Sequence, residues 1–350
     1  MRSLGPFDII EPIGEGGMGT VWRAVHRKQK VQAAVKFVLP KGGTNEKLLE
    51  RFGDEVRAVA GLDHPGIVSV FDYGTVPEAL ERAMDGQVLA GTPWLAMELI
   101  TGGTLKTLPP ESWPELHDNL TAILRALASA HASGILHRDL KPDNVLISGQ
   151  GDLRGGMRLV DFGLAFLQHE THQDGQKAAG TPRYMAPEQL LSNWRDFGPW
   201  TDLYALGCLA WHMSTGGTPF QSFKQFRQLL RAHLHLAPPT FRPLYTVPDD
   251  FEPWVRTLLA KRRTDRFRFA ADALAALPAR DQKYEPSAYT SNTPAAASLS
   301  ALDQTLPDLQ TAATIELRAS SDSILDDRTA VSLPDTGSAG TVDSRPAPGP

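Results

Sequence analysis

The chain has 350 residues, 41% hydrophobic and 21% charged, enough for two modest domains or one large one with a real core. Residues 283–350 hold 9 acidic and 4 basic residues and so carry the whole formal charge of -5; the first 282 are neutral, which argues against a nucleic-acid-binding face. The single cysteine, Cys208, excludes an internal disulfide and a cysteine-rich zinc site.

In chain order, residues 7–40 read as strands. Ile9-Ile10 leads into a glycine cluster, then come 20–25 and 33–38 with β-branched and aromatic residues. A helix is predicted over about 45–62, with Leu48, Leu49, Phe52, Val56, Val59 and Ala60 on its apolar face. Strand signals follow at 67–73 and 94–99. Between them, residues 76–92 look like an inserted surface decoration with one short helix near Pro77. Long helices then dominate. Ser112 and Glu115 suggest a capping box ahead of Leu116, Leu120, Ile123, Leu124 and Leu127, and Gly134 a stop. Further helices are expected at 202–215, 222–235, 251–261 and 268–277. A strand-rich part before a helix-rich part implies an α+β protein of two lobes with a cleft between them. Past residue 282 the chain turns to Ala, Ser, Thr, Pro and Asp, a composition that cannot offset chain entropy; a disordered tail over 283–350 is expected. The start of the chain lacks a basic, then apolar, leader, and no run approaches the ~20 apolar residues that span a bilayer, so a cytoplasmic chain without a membrane span is expected.

Three groups of residues carry chemistry. Gly14, Gly16 and Gly19 let a backbone turn tightly and approach phosphate oxygens. A dinucleotide fingerprint would open a helix here, whereas Thr20-Val21-Trp22 continues as a strand. Lys36 lies 17 residues after Gly19 among apolar neighbours and needs an anion or a route to water. Glu55 is one possible partner beside Glu46, Glu50 and Asp54. The centre of the case is His137-Arg138-Asp139-Leu140-Lys141-Pro142-Asp143-Asn144, with Asp161-Phe162-Gly163 beginning 17 residues after Asn144. Two acids and an amide there suit a hard divalent cation and a hydroxyl to be oriented.

These motifs, with His64-Pro65, Met97-Glu98-Leu99, Ala186-Pro187-Glu188, Asp202 and Arg266 in the same order, resemble the eukaryotic-type protein kinases, most of all the bacterial serine/threonine branch. The likeness covers about residues 7–280, with a small β-rich N-lobe to about residue 99 and a larger helical C-lobe over about 100–280. It implies ATP with Mg2+ (Mn2+ as an alternative), and protein substrates bearing Ser or Thr. By resemblance, Ile13, Val21, Ala34 and Met97 surround the adenine ring, and the Glu98–Leu99 backbone bonds its edge. Gly14, Gly16 and Gly19 cover the phosphates. Lys36 holds the α- and β-phosphates and pairs with Glu55. Asp139 orients the hydroxyl, Lys141 steadies the γ-phosphate, and Asn144 and Asp161 bind the metal. Glu188–Arg266 is a structural ion pair, and Asp202 braces the catalytic loop.

The pattern departs in the stretch 104–112, too short for the small helix usual there, with Thr104 a candidate for the ribose side. It departs again at Gln176–Ala179, which offers no hydroxyl for activating phosphorylation. Thr171 lies upstream and Thr181 reads as structural, so Glu170 or Asp174 is expected to substitute for a phosphate at Arg138, leaving the chain active by default. The rival readings are a pseudokinase scaffold and a small-molecule phosphotransferase. Lys36, Asp139, Asn144 and Asp161 speak against the first, Ala186-Pro187-Glu188 against the second. The tail is read as an autophosphorylation target, an arm for a partner or an inert solvated extension.

Overall fold

The computed structural model describes residues 2–16, 19–39, 45–162 and 182–281. Strands β1 (Ser3–Leu4), β2 (Phe7–Gly16), β3 (Gly19–His26), β4 (Gln32–Val38), β5 (Val70–Thr75) and β6 (Pro93–Glu98) form one antiparallel sheet in the order β1-β2-β3-β4-β6-β5. Period-2 alternation in β4 assigns its two faces. Ala33, Val35 and Phe37 point into one core with Phe7, Trp22 and Trp94; Ala34 and Val38 point into a second with Leu95 and Met97. Helix α1 (Glu46–Ala60) covers the second face with Leu48, Phe52 and Val56, and its Asn45 cap accepts from the Leu48 amide at 2.8 Å. Leu49 is half-buried and Ala60 exposed, so the apolar stripe is narrower than the sequence suggested.

The insertion over 76–92 is more than a decoration. Its helix α2 (Glu78–Ala83) is followed by a turn, and Val76, Leu80, Met84 and Val88 complete the core on the first face, over Phe7, Phe37 and Trp94. Leu80 and Met84 are fully buried, which contributes about 1.5–3 kcal/mol each. Those four residues recur at every fourth position, a helical signal present in the sequence.

The larger lobe is built on α3 (Trp113–Ala132), α4 (Pro187–Leu190), α5 (Pro199–Thr215), α6 (Phe226–His235), α7 (Phe251–Leu258) and α8 (Ala270–Ala275). Helix α5 is buried nearly all round, from Thr201 to Ser214, as befits a helix apolar on every side at the centre of a lobe. Leu120, Ile123, Leu124 and Leu127 of α3, Leu203 and Leu206 of α5, and Phe251, Trp254 and Val255 of α7 share its core. At the start of α3 the capping box is not formed as expected: Ser112 makes no side-chain cap bond, and Glu115 accepts instead from the Glu111 amide at 2.9 Å. Gly134 follows the helix with φ +74°, a conformation glycine adopts without penalty. No helix forms over 104–112, and the Thr104 hydroxyl oxygen accepts from the Lys106 and Thr107 amides at 3.2 and 3.3 Å, closing a turn. Among the described residues no helix is long and apolar enough to cross a membrane.

Candidate active site

A two-stranded sheet of β7 (Val145–Ile147) and β8 (Met157–Leu159) brings the two central motifs together. Val145 pairs with Leu159, so Asn144, just before β7, and Asp161, just after β8, end at the same edge; the Val160 amide donates to the Asn144 carbonyl at 3.0 Å. The alternation in β7 sends Val145 into the large-lobe core and Leu146 toward Val21, Ala34, Met97 and Leu99 across the cleft. Leu146 was not singled out from the sequence, although its central position in a three-residue apolar strand carries that information.

Above the cleft, Gly14, Val21, Lys36 and Leu95 stand in one cross-strand row. Gly16 pairs with Gly19 as the β2–β3 hairpin narrows. A side chain at Gly16 would meet no atom of the described residues within 4 Å; at Gly19 (φ +134°) a Cβ would lie 1.8 Å from the Phe37 carbonyl oxygen. Glycine at 19 is therefore demanded by the close approach of β4. Ile13 is exposed at the mouth, whereas Met97 and Leu99 are buried behind it.

Lys36 is only 5% exposed, and its Nζ lies 2.6 Å from Asp161 Oδ2. Burial pushes the Asp161 carboxyl up, but the Lys36 ammonium, helped by Lys141, outweighs it and holds Asp161 below the ordinary carboxylate range. Glu55 does not meet Lys36: it accepts from Arg138 Nη1 at 3.2 Å. In this structure Glu55 meets Arg138 and Lys36 meets Asp161, in place of the lysine–glutamate contact that the resemblance implies. Arg138 and Asp161 both have left-handed backbones, φ +64° and +65°, a conformation costing about 1–3 kcal/mol in non-glycine residues and concentrated at functional sites.

Asp139 is fixed by its own loop. Its Oδ2 accepts from Lys141 Nζ at 2.5 Å and from Asn144 Nδ2 at 3.0 Å, while its carbonyl accepts from the same Asn144 amide at 2.7 Å. The loop hangs from Asp202, in the first turn of α5, whose carboxylate accepts from the His137 and Arg138 amides at 2.8 Å each and meets His131 Nε2 at 2.8 Å. Burial raises the Asp202 carboxyl, yet these bonds, led by His131, bring it below its ordinary value. Burial lowers His137, whose ring lies 4.5 Å from Phe162 and helps seat Phe162 in the core. His131 thus has a specific partner in Asp202. Gln189 of α4 also went unnoticed in the sequence: its amide donates to the Arg138 carbonyl at 2.8 Å. Only tertiary structure reveals that tie. Glu188 and Arg266 form the expected buried pair, at 2.8 and 3.1 Å, with Thr201 donating to the same carboxylate.

Asn144 and Asp161 offer hard oxygen donors side by side, and the Asn144 amide is oriented by its bonds to Asp139, a donor set that fits a divalent cation completed by water and phosphate oxygens. Among the described residues no group of three or more His, Cys, Asp or Glu could hold a metal by itself. Gly163, Glu170, Thr171, Asp174, Gln176–Ala179, Gly180, Thr181 and the 283–350 tail lie outside the described residues.

Residues 7–276 match a family model described as the protein kinase domain. The chain is 34% identical over 292 residues to the serine/threonine-protein kinase PknA of Mycobacterium tuberculosis, covering 81% of this chain and 64% of that protein. It is 37% identical over 284 residues to the DNA damage-responsive serine/threonine-protein kinase RqkA of Deinococcus radiodurans (78% and 39%). It is 33% identical over 267 residues to the serine/threonine-protein kinase Pkn1 of Myxococcus xanthus (75% and 36%). The chain therefore spans less than two thirds of the length of these relatives.

Proposed function

Since this chain belongs to the protein kinase domain family, we propose that it transfers the γ-phosphate of ATP to serine and threonine hydroxyls of proteins. The observation that carries this reading is the convergence of Lys36, Asp139, Lys141, Asn144 and Asp161 on one cleft edge, each oriented by its neighbours. Val21, Ala34, Met97, Leu99 and Leu146 supply an apolar slot for adenine, and the Glu98–Leu99 backbone its polar edge. Ile13 flanks the opening, and Gly14, Gly16 and Gly19 let the hairpin lie close over the phosphates.

Asp139 orients the attacking hydroxyl and takes its proton, a role worth about 10²–10⁴-fold in rate. Lys141, resting on Asp139, shifts toward the γ-phosphate as substrate arrives and balances its charge. Lys36 gives up Asp161 to the α- and β-phosphates. Asn144 and Asp161 would then hold Mg2+, or Mn2+, which supplies electrostatic stabilisation of the transferring phosphoryl group. Glu55 leaves Arg138 for Lys36 in that state. Glu55, an α1 residue, is an acid that Arg138 meets among the described residues, and its exchange is the step that readies the cleft.

The kinase domain is taken as residues 7–280 and the remaining chain as a tail whose 18 serines and threonines are candidates for autophosphorylation or for holding a partner. A cytoplasmic location accords with the absence of a membrane-crossing helix among the described residues. Incubation with γ-labelled ATP, a divalent metal and a generic protein substrate, followed by acid hydrolysis, should yield phosphoserine and phosphothreonine. Label confined to phosphotyrosine, or none in protein, would overturn the reading.

A further inference from the structure

Two stretches, residues 66–69 between α1 and β5 and residues 98–104 leading from β6 into the large lobe, are both tied to the β7–β8 hairpin. On the first, the Leu159 amide donates to the Gly66 carbonyl at 2.8 Å and the Val68 amide to the Leu159 carbonyl at 3.1 Å. On the second, the Leu105 amide donates to the Val145 carbonyl and the Ile147 amide to the Gly103 carbonyl, each at 2.9 Å. The backbones approach so closely that a Cβ at Gly102 would lie 2.5 Å from the Ile147 carbonyl oxygen.

The turn over 148–156 extends this grip with side chains. Asp152 accepts from the Thr101 amide at 2.9 Å, the Thr101 hydroxyl at 2.7 Å and the Gly149 amide at 2.7 Å. Burial raises the Asp152 carboxyl, but the Thr101 donors outweigh it and hold it below its ordinary value. Arg154 grips the buried Glu98 carboxylate with Nε at 3.1 Å and a second contact from Nη2, which also reaches the Ser69 hydroxyl at 2.9 Å and the Ile67 carbonyl at 3.3 Å. Arg158, buried to 2% exposure, lies 3.6 Å from the same carboxylate. One guanidinium, Arg154, therefore ties both stretches together. A loop that only joined two short strands would need none of these contacts, since three or four small polar residues close such a turn.

We propose that the 148–156 turn is a brace that fixes the interlobe segment 98–104 in its nucleotide-binding conformation, with Asp152 and Arg154 as positioning residues for ATP affinity. The inference rests on the ATP reading above. Its physical content is pre-organisation: a segment that samples other conformations when free loses apparent affinity in proportion to the fraction no longer competent. Neither residue touches the reacting atoms. The brace therefore governs how tightly nucleotide binds, while the rate at saturation depends on Asp139 and its neighbours.

The test compares Asp152→Ala, Arg154→Gln and wild type by calorimetric titration with ADP and Mg2+, with steady-state kinetics and amide hydrogen exchange alongside. Each variant should weaken ADP binding and raise KM for ATP by about 5–20-fold, with kcat and the protein-substrate KM within twofold of wild type, and should speed exchange at 99–103. Folded variants with unchanged ADP affinity overturn the brace. Should Asp152→Ala fail to fold, Arg154→Gln, whose side chain is 35% exposed, decides the question alone. A wild type that binds no nucleotide overturns the ATP reading itself and the brace with it; nucleotide binding by wild type separates the two failures.

Discussion

Two sets of buried charges in this molecule are built differently. Behind the cleft and beneath it, Glu188 is gripped in bidentate fashion by Arg266, and Glu98 is held by Arg154 with Arg158 beside it; their backbones are relaxed and their partners fixed. Inside the cleft, Lys36 leans on Asp161 and Glu55 on Arg138, the last pair partly exposed and both Arg138 and Asp161 held in left-handed backbone conformations. The first set has settled on one arrangement. The second has partners that the proposed function would exchange, and two members held in left-handed backbone conformations. On the proposed function, charges that hold the fold together and charges that would do chemistry differ in their commitment to a partner and not in burial, since Lys36 is as buried as Arg266.

Breaking a settled pair should cost stability and spare chemistry. Arg266→Ala leaves Glu188 buried without its cation and removes bonds to the Trp200, Ala260 and Lys261 carbonyls, so unfolding free energy should fall by about 3–5 kcal/mol. Chemical denaturation measures this, and the activity per folded molecule should stay near wild type.

A half-buried cation with no carboxylate partner among the described residues sharpens the contrast. Lys261 lies over the Phe220 and Tyr204 rings at 4.6 and 5.8 Å and donates to the Ala232 carbonyl at 3.2 Å. Burial, with Arg266 nearby, lowers it to about 8 from the ordinary 10.5. Between those values the unfolded chain holds more protons than the folded one, so this residue makes stability rise with pH across that window. Lys261→Met should therefore stabilise the protein by about 1–2 kcal/mol at pH 7, the two aromatic faces having already offset part of the burial cost. The gain should shrink as pH climbs from 8 past 10; a gain that does not depend on pH would assign it to packing alone.

The exchangeable pair should behave in the opposite way. Glu55→Gln keeps the shape of α1 and removes the charge that Arg138 and Lys36 share in turn. Thermal unfolding should register less than about 1 kcal/mol, since the Glu55–Arg138 pair is partly exposed. Phosphate transfer should fall by about 10–100-fold, in line with a group that positions Lys36 only in the reactive state.

Much of this was legible in the sequence. Period-2 patterns placed β3 and β4, and period-3.6 patterns α1 and α3. Partners across the chain were legible only where motif order named them, as with Glu188 and Arg266. Within the cleft, composition says that Glu55 and Arg138 are available but not that they meet in this structure. The insertion was misread: Val76, Leu80, Met84 and Val88 do show a helical spacing, but only the exposed aromatic face of the sheet beneath explains why that spacing matters. Asp152, Arg154 and Gln189 gave no signal, because each acts through backbone atoms more than thirty residues away or across a lobe boundary.

The most direct test of the account compares Asp139→Asn with wild type, measuring single-turnover transfer from γ-labelled ATP and ADP affinity on the same preparations. The amide keeps the size of the side chain but cannot take the proton. Transfer should fall by about 10³-fold while ADP affinity and unfolding temperature stay near wild type. Transfer within a few-fold of wild type would contradict the account, because it would place the chemistry on some group other than Asp139.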